Sequence, residues 1–164
     1  FIRIRSAVGE GAVLRLFFPA TREALTEQAT PLDMDQYQGH GEAILVVDDV
    51  PEQRAIARQM LEALGYRVAV AASGEKALVY LETNPCDLVL LDMIMDPGID
   101  GYETLRRILA FKPLQRAIVA SGYSESSKIQ EVLCLGAHSY IKKPYRMDSI
   151  AMAVHQALSR VQHR

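Results

Sequence analysis

Five short apolar runs, each followed by a helical period, constrain the fold of this chain more than any other feature. The runs are Ala43–Val47, Val68–Ala71, Leu88–Leu91, Ala117–Ala120 and Ser139–Ile141. Their length and β-branched content suit strands buried on both faces. Between them, apolar residues recur at helical spacing: Ile56/Met60/Leu64, Ala77/Leu78/Leu81, Leu105/Ile108/Leu109 and Ile129/Val132/Leu133. A last helix carries Ile150/Val154/Ala157/Val161. Gly65 and Gly136 fit positions just past helix ends, and Ser73 and Ser124 fit N-caps. Strict βα alternation predicts an α/β domain: a doubly wound, five-stranded parallel sheet with right-handed crossovers.

The third run stops at a single carboxylate, Asp92, and a loop containing Asp96, Pro97, Gly98 and Asp100 follows at once. An isolated Asp there is ordinarily a turn residue. In an open α/β sheet, however, groups at the carboxyl ends of different strands converge. Those ends carry Asp48 and Asp49 after the first strand, Ser121 after the fourth, and Lys143-Pro144 after the fifth. Two carboxylates about 4 Å apart repel by roughly 4 kcal/mol at an effective dielectric of 20, so the Asp48/Asp49/Asp92 cluster calls for a cation. Hard oxygen donors without His or Cys favour Mg²⁺ or Mn²⁺ over zinc. Mg²⁺ in turn favours a phosphoryl group as substrate, with Asp92 as nucleophile. Lys143 and the Ser121 hydroxyl are then available to further phosphoryl oxygens. Pro144 would fix the Lys143 loop, and a cis Lys143-Pro144 bond is expected.

Taken together, these residues resemble the receiver domain of two-component response regulators over residues 42–162. The matching residues are Asp48-Asp49, Asp92, Ser121 in Val119-Ala120-Ser121-Gly122, and Lys143-Pro144. The separations, 29 residues from Asp92 to Ser121 and 22 from Ser121 to Lys143, are typical of that family. The resemblance implies a flavodoxin-like fold with strand order 2-1-3-4-5 and Asp92 as phosphoacceptor. It also implies a metal held by Asp49, Asp92 and the Ile94 backbone carbonyl, with Asp48 reaching it through water. Ser121 and the aromatic Tyr140 would be the switch pair, and the partner a histidine kinase or a histidine phosphotransfer domain. One departure stands out: the family's Asp-x-x-Met-Pro is here Asp92-Met93-Ile94-Met95-Asp96-Pro97, with one extra residue before the proline. Asp96 reads as a solvated turn residue, or as a group that tunes metal affinity or aspartyl-phosphate lifetime. Tyr123 and Tyr145 read as exposed-loop residues.

Upstream, residues 1–19 alternate as a β-hairpin, with Ile2 and Ile4 against Arg3 and Arg5, and Leu14, Leu16 and Phe18 around Arg15. Ser6, Gly9, Gly11 and Leu16-Phe17-Phe18-Pro19 resemble the last two strands of the ATP-binding domain of sensor histidine kinases. No ATP-contacting box accompanies them, so this hairpin remnant is not expected to bind ATP. Residues 20–41 read as a linker, with a helical turn around 22–28. The chain starts at Phe1 inside a strand and reads as a piece of something longer, expected to be a hybrid sensor histidine kinase with a C-terminal receiver. The other parent considered is a response regulator, standing alone or trimmed of its output domain.

Composition removes several alternatives. Eighteen Lys and Arg against 20 Asp and Glu give a net charge of −2 and no electrostatic case for nucleic acid or an anionic membrane. No apolar run reaches the ~20 residues of a membrane span. Cys86 and Cys134 follow no metal spacing and suit a reduced, cytoplasmic chain. A phosphatase of the haloacid-dehalogenase-like family would need an Asp at Ile94, and no P-loop motif is present. The expected chemistry is therefore that of a phosphoacceptor gaining and losing its own phosphoryl group. The hairpin's free edge offers a route to a homodimer.

Overall fold

The first strand pair follows directly from the alternation at the N-terminus. In the computed structural model, which describes residues 1–9, 11–18, 34–122 and 126–159, β1 (Ile2–Ala7) pairs antiparallel with β2 (Gly11–Leu16). Ile2 lies opposite Leu16, and Ala7 opposite Gly11. The Phe1 and Phe17 rings stack at 4.4 Å, and the Phe17 N–H donates to the Phe1 carbonyl. Every strand residue is exposed, Ile2, Ile4, Leu14 and Leu16 included. Pro19 and the helical turn expected around 22–28 lie outside the described residues.

By contact density the chain divides into Phe1–Pro31 and Leu32–Arg164. The second unit holds β3 (Ala43–Val47), α1 (Pro51–Ala63), β4 (Arg67–Ala71), α2 (Gly74–Thr83), β5 (Leu88–Asp92), α3 (Gly101–Phe111), β6 (Arg116–Ser121), α4 (Ser126–Leu135), β7 (Ser139–Lys142) and α5 (Met147–Ser159). Its strands run parallel in the order β4-β3-β5-β6-β7, the expected 2-1-3-4-5 arrangement.

Period-2 alternation splits the buried strand residues between two cores. Ile44, Val46, Leu88, Leu90, Ile118 and Ala120 face Leu61 of α1 and Ile150 and Val154 of α5. Leu45, Val47, Val89, Leu91, Ala117 and Val119 face Leu81 of α2, Leu105 and Ile108 of α3, and Val132 of α4. Each fully buried Leu, Ile or Val contributes roughly 1.5–3 kcal/mol, which is why continuous apolar runs select a sheet covered on both faces. Ser73 caps α2 by accepting the Lys76 N–H, and Asp100 caps α3 by accepting the Glu103 N–H at 2.9 Å. Ser124, the other expected cap, and Val161 lie outside the described residues. Among the described residues, no helix is long and apolar enough to cross a membrane.

The linker expectation needs correction at its C-terminal end. Residues Met34–Tyr37 form a 3₁₀ helix, and Met34 and Tyr37 pack against the α1/α5 core. The Tyr37 ring meets His155 edge-on at 5.5 Å, and the Gly39 N–H donates to the Leu64 carbonyl at 2.7 Å. The Tyr66 hydroxyl donates to the Tyr37 carbonyl at 3.3 Å. A four-residue 3₁₀ turn shows no period in sequence, so only its tertiary partners reveal it.

Candidate functional site

The carboxyl ends of β3, β5, β6 and β7 meet in one crevice because parallel strands of similar length terminate on the same edge. Asp48 is 0% exposed and Asp92 5%, burial that a carboxylate tolerates only with partners. The Asp48 carboxylate finds two: its Oδ1 accepts the Val50 N–H at 2.9 Å and its Oδ2 lies 2.5 Å from Lys143 Nζ, while the Asp48 backbone carbonyl accepts from Arg54. The same ammonium is 2.9 Å from Asp92 Oδ2. Lys143 thus bridges the two buried carboxylates, with its side chain 12% exposed. Its backbone N–H donates to the Ser121 carbonyl at 2.9 Å, and the Lys143-Pro144 bond is cis, as expected.

Asp49, half-buried, completes the cluster: Asp48, Asp49 and Asp92 each offer an oxygen within 4.8 Å of the others. The structure refines the electrostatics anticipated from sequence. Lys143 supplies one of the positive charges that the cluster calls for, and three carboxylates against one ammonium leave a surplus of two negative charges. Burial pushes the Asp92 carboxyl above the ordinary range, aided by the Asp48 charge and opposed by Lys143 and by the backbone N–H of Ile94. A donor set of closely spaced hard oxygens with surplus charge fits a divalent hard cation.

Ser121 ends β6, 5% exposed, and its carbonyl accepts both the Lys143 N–H and the Tyr140 hydroxyl, the latter at 3.3 Å. Tyr140 is half-buried against the α2/α3/α4 core. The two switch candidates therefore touch through the backbone of Ser121. Tyr145 departs from expectation: it is buried, its ring centroid 5.8 Å from Lys143 Nζ. Burial and the nearby Asp48 and Asp92 charges push its phenol far above the ordinary range, so it stays neutral. Its ring attracts the lysine ammonium by a cation–π interaction. Its position two residues after Lys143 was the only signal of this role. Tyr123 lies outside the described residues.

The lengthened loop after Asp92 is built from buried Met93 and Met95, half-buried Ile99, and an exposed Asp96-Pro97-Gly98 tip whose Asp96-Pro97 bond is also cis. The contact that matters at Asp96 is made by its backbone: the Asp96 N–H donates to Asp49 Oδ2 at 3.2 Å. The position two residues past Asp92 is held by Ile94, 60% exposed, and so offers no general acid. At the loop's end, Gly101 lets α3 start directly beneath β5. A Cβ there would sit 2.3 Å from the Asp92 carbonyl oxygen.

A family model for the response regulator receiver domain matches residues 44–155. Sporulation initiation phosphotransferase F of Bacillus subtilis is 38% identical over 117 residues, covering 71% of this chain and 94% of that protein. The virulence sensor protein BvgS of Bordetella bronchiseptica is 30% identical over 96% of this chain, which spans 14% of the length of BvgS. The solved structure of response regulator protein TrrA from Thermotoga maritima, in complex with Mg²⁺-BeF, superposes with a TM-score of 0.66 and 32% identity. It covers 71% of this chain and 99% of that one.

Proposed function

The chain belongs to the response regulator receiver domain family of two-component signalling, and from that premise we propose that Asp92 accepts a phosphoryl group from phosphohistidine. The observation that carries this is the bridging of Asp92 and Asp48 by Lys143 at the sheet's carboxyl edge, with Asp49 in reach. An Asp92 carboxylate oxygen attacks phosphorus, and the P–N bond breaks with its electrons staying on the imidazole, which takes a proton from water. Lys143, already 2.9 Å from Asp92, pairs with a phosphoryl oxygen, and the Ser121 hydroxyl donates to another. Asp49, Asp92 and the Ile94 carbonyl would hold Mg²⁺ or Mn²⁺ directly and Asp48 through water. The bound ion would offset charge on the carboxylates and the transferred group. The acyl phosphate is discharged by water, or by a histidine of a phosphotransfer partner, with cleavage of the phosphorus–Asp92 oxygen bond.

The added charge of about −1.5 to −2 shifts an existing equilibrium of the Ser121 loop, α4 and Tyr140. The Tyr140–Ser121 contact supports that coupling. The parent in this reading is a hybrid sensor histidine kinase, with residues 1–19 as the end of its ATP-binding domain. The alignment with a sensor protein over 96% of the chain supports this more than a stand-alone regulator. Its setting is the cytoplasm, which suits the free Cys86 and Cys134.

Incubation with Mg²⁺ and acetyl phosphate, followed by intact mass measurement, tests the assignment. The expected result is a gain of one phosphoryl group that Asp92→Asn abolishes. No gain, or a gain that survives the substitution, overturns it.

A further inference from the structure

The loop that brings the Asp96 N–H to Asp49 is also held from outside the carboxylate cluster. Its anchor is on α2, a helix that contributes nothing to the carboxylate site. There the Glu75 carboxylate accepts the Ile99 N–H at 2.9 Å. Two neighbouring glycines make the approach possible. At Gly74 a Cβ would stand 2.6 Å from Ile99 Cγ1, so the bare backbone lets Ile99 seat against the first turn of α2. At Gly98, φ is +125°, and a Cβ would lie 2.8 Å from Glu75 Oε1. Between this clasp and buried Met95 lie only Asp96, Pro97 and Gly98, all exposed. The Met95–Asp96 peptide that donates to Asp49 therefore lies between buried Met95 on one side and the Glu75–Ile99 clasp on the other.

We propose that Glu75 is a positioning residue for the metal site: by holding the Ile99 N–H it keeps the Asp96 N–H on Asp49 Oδ2 and pre-orients that carboxylate for a divalent cation. The inference rests on the assignment of Asp49 as a metal ligand. It gives the extra loop residue a role exercised through the backbone, in which the Asp96 side chain takes no part. The backbone N–H groups of Glu75 and Ile99 and the Ser73 side chain hold the Glu75 carboxyl below the ordinary carboxylate range.

The test is calorimetric titration of Mg²⁺ into the full chain for wild type, Glu75→Ala, Glu75→Gln and Gly98→Ala, with a thermal melt of each to establish folding. Glu75→Ala is expected to raise the Mg²⁺ dissociation constant about threefold to tenfold, the scale of one ordinary hydrogen bond lost from the loop. Glu75→Gln keeps an acceptor oxygen for the Ile99 N–H and should return to within about twofold of wild type. The glutamine also separates positioning from charge: loss of a remote negative charge would weaken Gln and Ala equally. Gly98→Ala, which forces the loop off Glu75, should reproduce the weakening with the carboxylate intact. The inference is overturned if Glu75→Ala binds Mg²⁺ as wild type does, or if Glu75→Gln is as weak as Glu75→Ala. A wild-type chain that takes up no Mg²⁺ would overturn the metal-site assignment itself, a result distinguishable from failure of the clasp alone.

Discussion

Lys143 and Asp48, 95 residues apart in the chain, meet at 2.5 Å, and the same ammonium lies 2.9 Å from Asp92. The pair has two functions. It compensates a carboxylate with no access to water, and it holds the ammonium at the place where a phosphoryl oxygen would arrive. Structure and proposed chemistry therefore draw on the same charge.

Replacing Lys143 with Ala strands the buried Asp48 carboxylate. Breaking one side of a buried pair costs about 3 kcal/mol, so the urea midpoint should fall markedly. Added Mg²⁺ should recover part of the loss by supplying the missing positive charge. A variant as stable as wild type without Mg²⁺ would contradict the bridging role.

The surplus of two negative charges predicts the opposite response at Asp49. Asp49→Asn removes repulsion and should stabilise the metal-free protein by about 1 kcal/mol at neutral pH. The same variant should lose the Mg²⁺-dependent rise in melting temperature. For wild type that rise corresponds to about 2.7 kcal/mol at a hundredfold excess over the dissociation constant. Melts with and without Mg²⁺ check both halves.

Gly101→Ala places a methyl group 2.3 Å from the Asp92 carbonyl oxygen, against backbone that cannot yield cheaply. Overpacking of this kind should cost about 3 kcal/mol and displace α3 from β5. Urea unfolding measures the cost, and a phosphorylation assay on the folded fraction reports the displacement.

Arg106 and Arg107 hydrogen-bond the Glu103 carboxylate and hold its carboxyl down at about 2. A folded-state value below the unfolded value of about 4.3 means the stabilisation is complete above that pH and lost as pH falls toward 2. Glu103→Gln should therefore be slightly less stable than wild type at neutral pH, with the gap narrowing from about pH 5 to about pH 2. The exposed site and salt screening keep the effect small. Urea midpoints across that range are the measurement.

Tyr37→Ala removes the edge-on ring contact with His155 and a side chain packed on the α1/α5 core. A loss of about 1 kcal/mol is expected, read as a lower melting temperature of the receiver unit. No change would return residues 34–41 to the status of a free linker.

Most of the fold was legible because its determinants are local. Apolar runs such as Leu88–Leu91 declare buried strands, and Leu105/Ile108 declare a helix face, with no knowledge of neighbours. The site residues were legible for a related reason: parallel strands end on one edge, so Asp48, Asp49, Asp92, Ser121 and Lys143 had to be neighbours once the alternation was recognised. The burial of Tyr145 was not legible, since a residue following Lys143-Pro144 carries no period that marks it as inside or outside.

By itself, then, the sequence determined the alternation of strands and helices, the edge at which chemistry gathers, and the residue types present there. Tertiary structure alone decided that Lys143 bridges Asp48 and Asp92, that Met34–Tyr37 packs on α5, and that the Asp96 N–H and Glu75 reach Asp49 and Ile99. The physical reason is range. Periodicity expresses the burial of each element in its own residues, whereas a hydrogen bond between a loop amide and a distant carboxylate depends on the path of the whole chain.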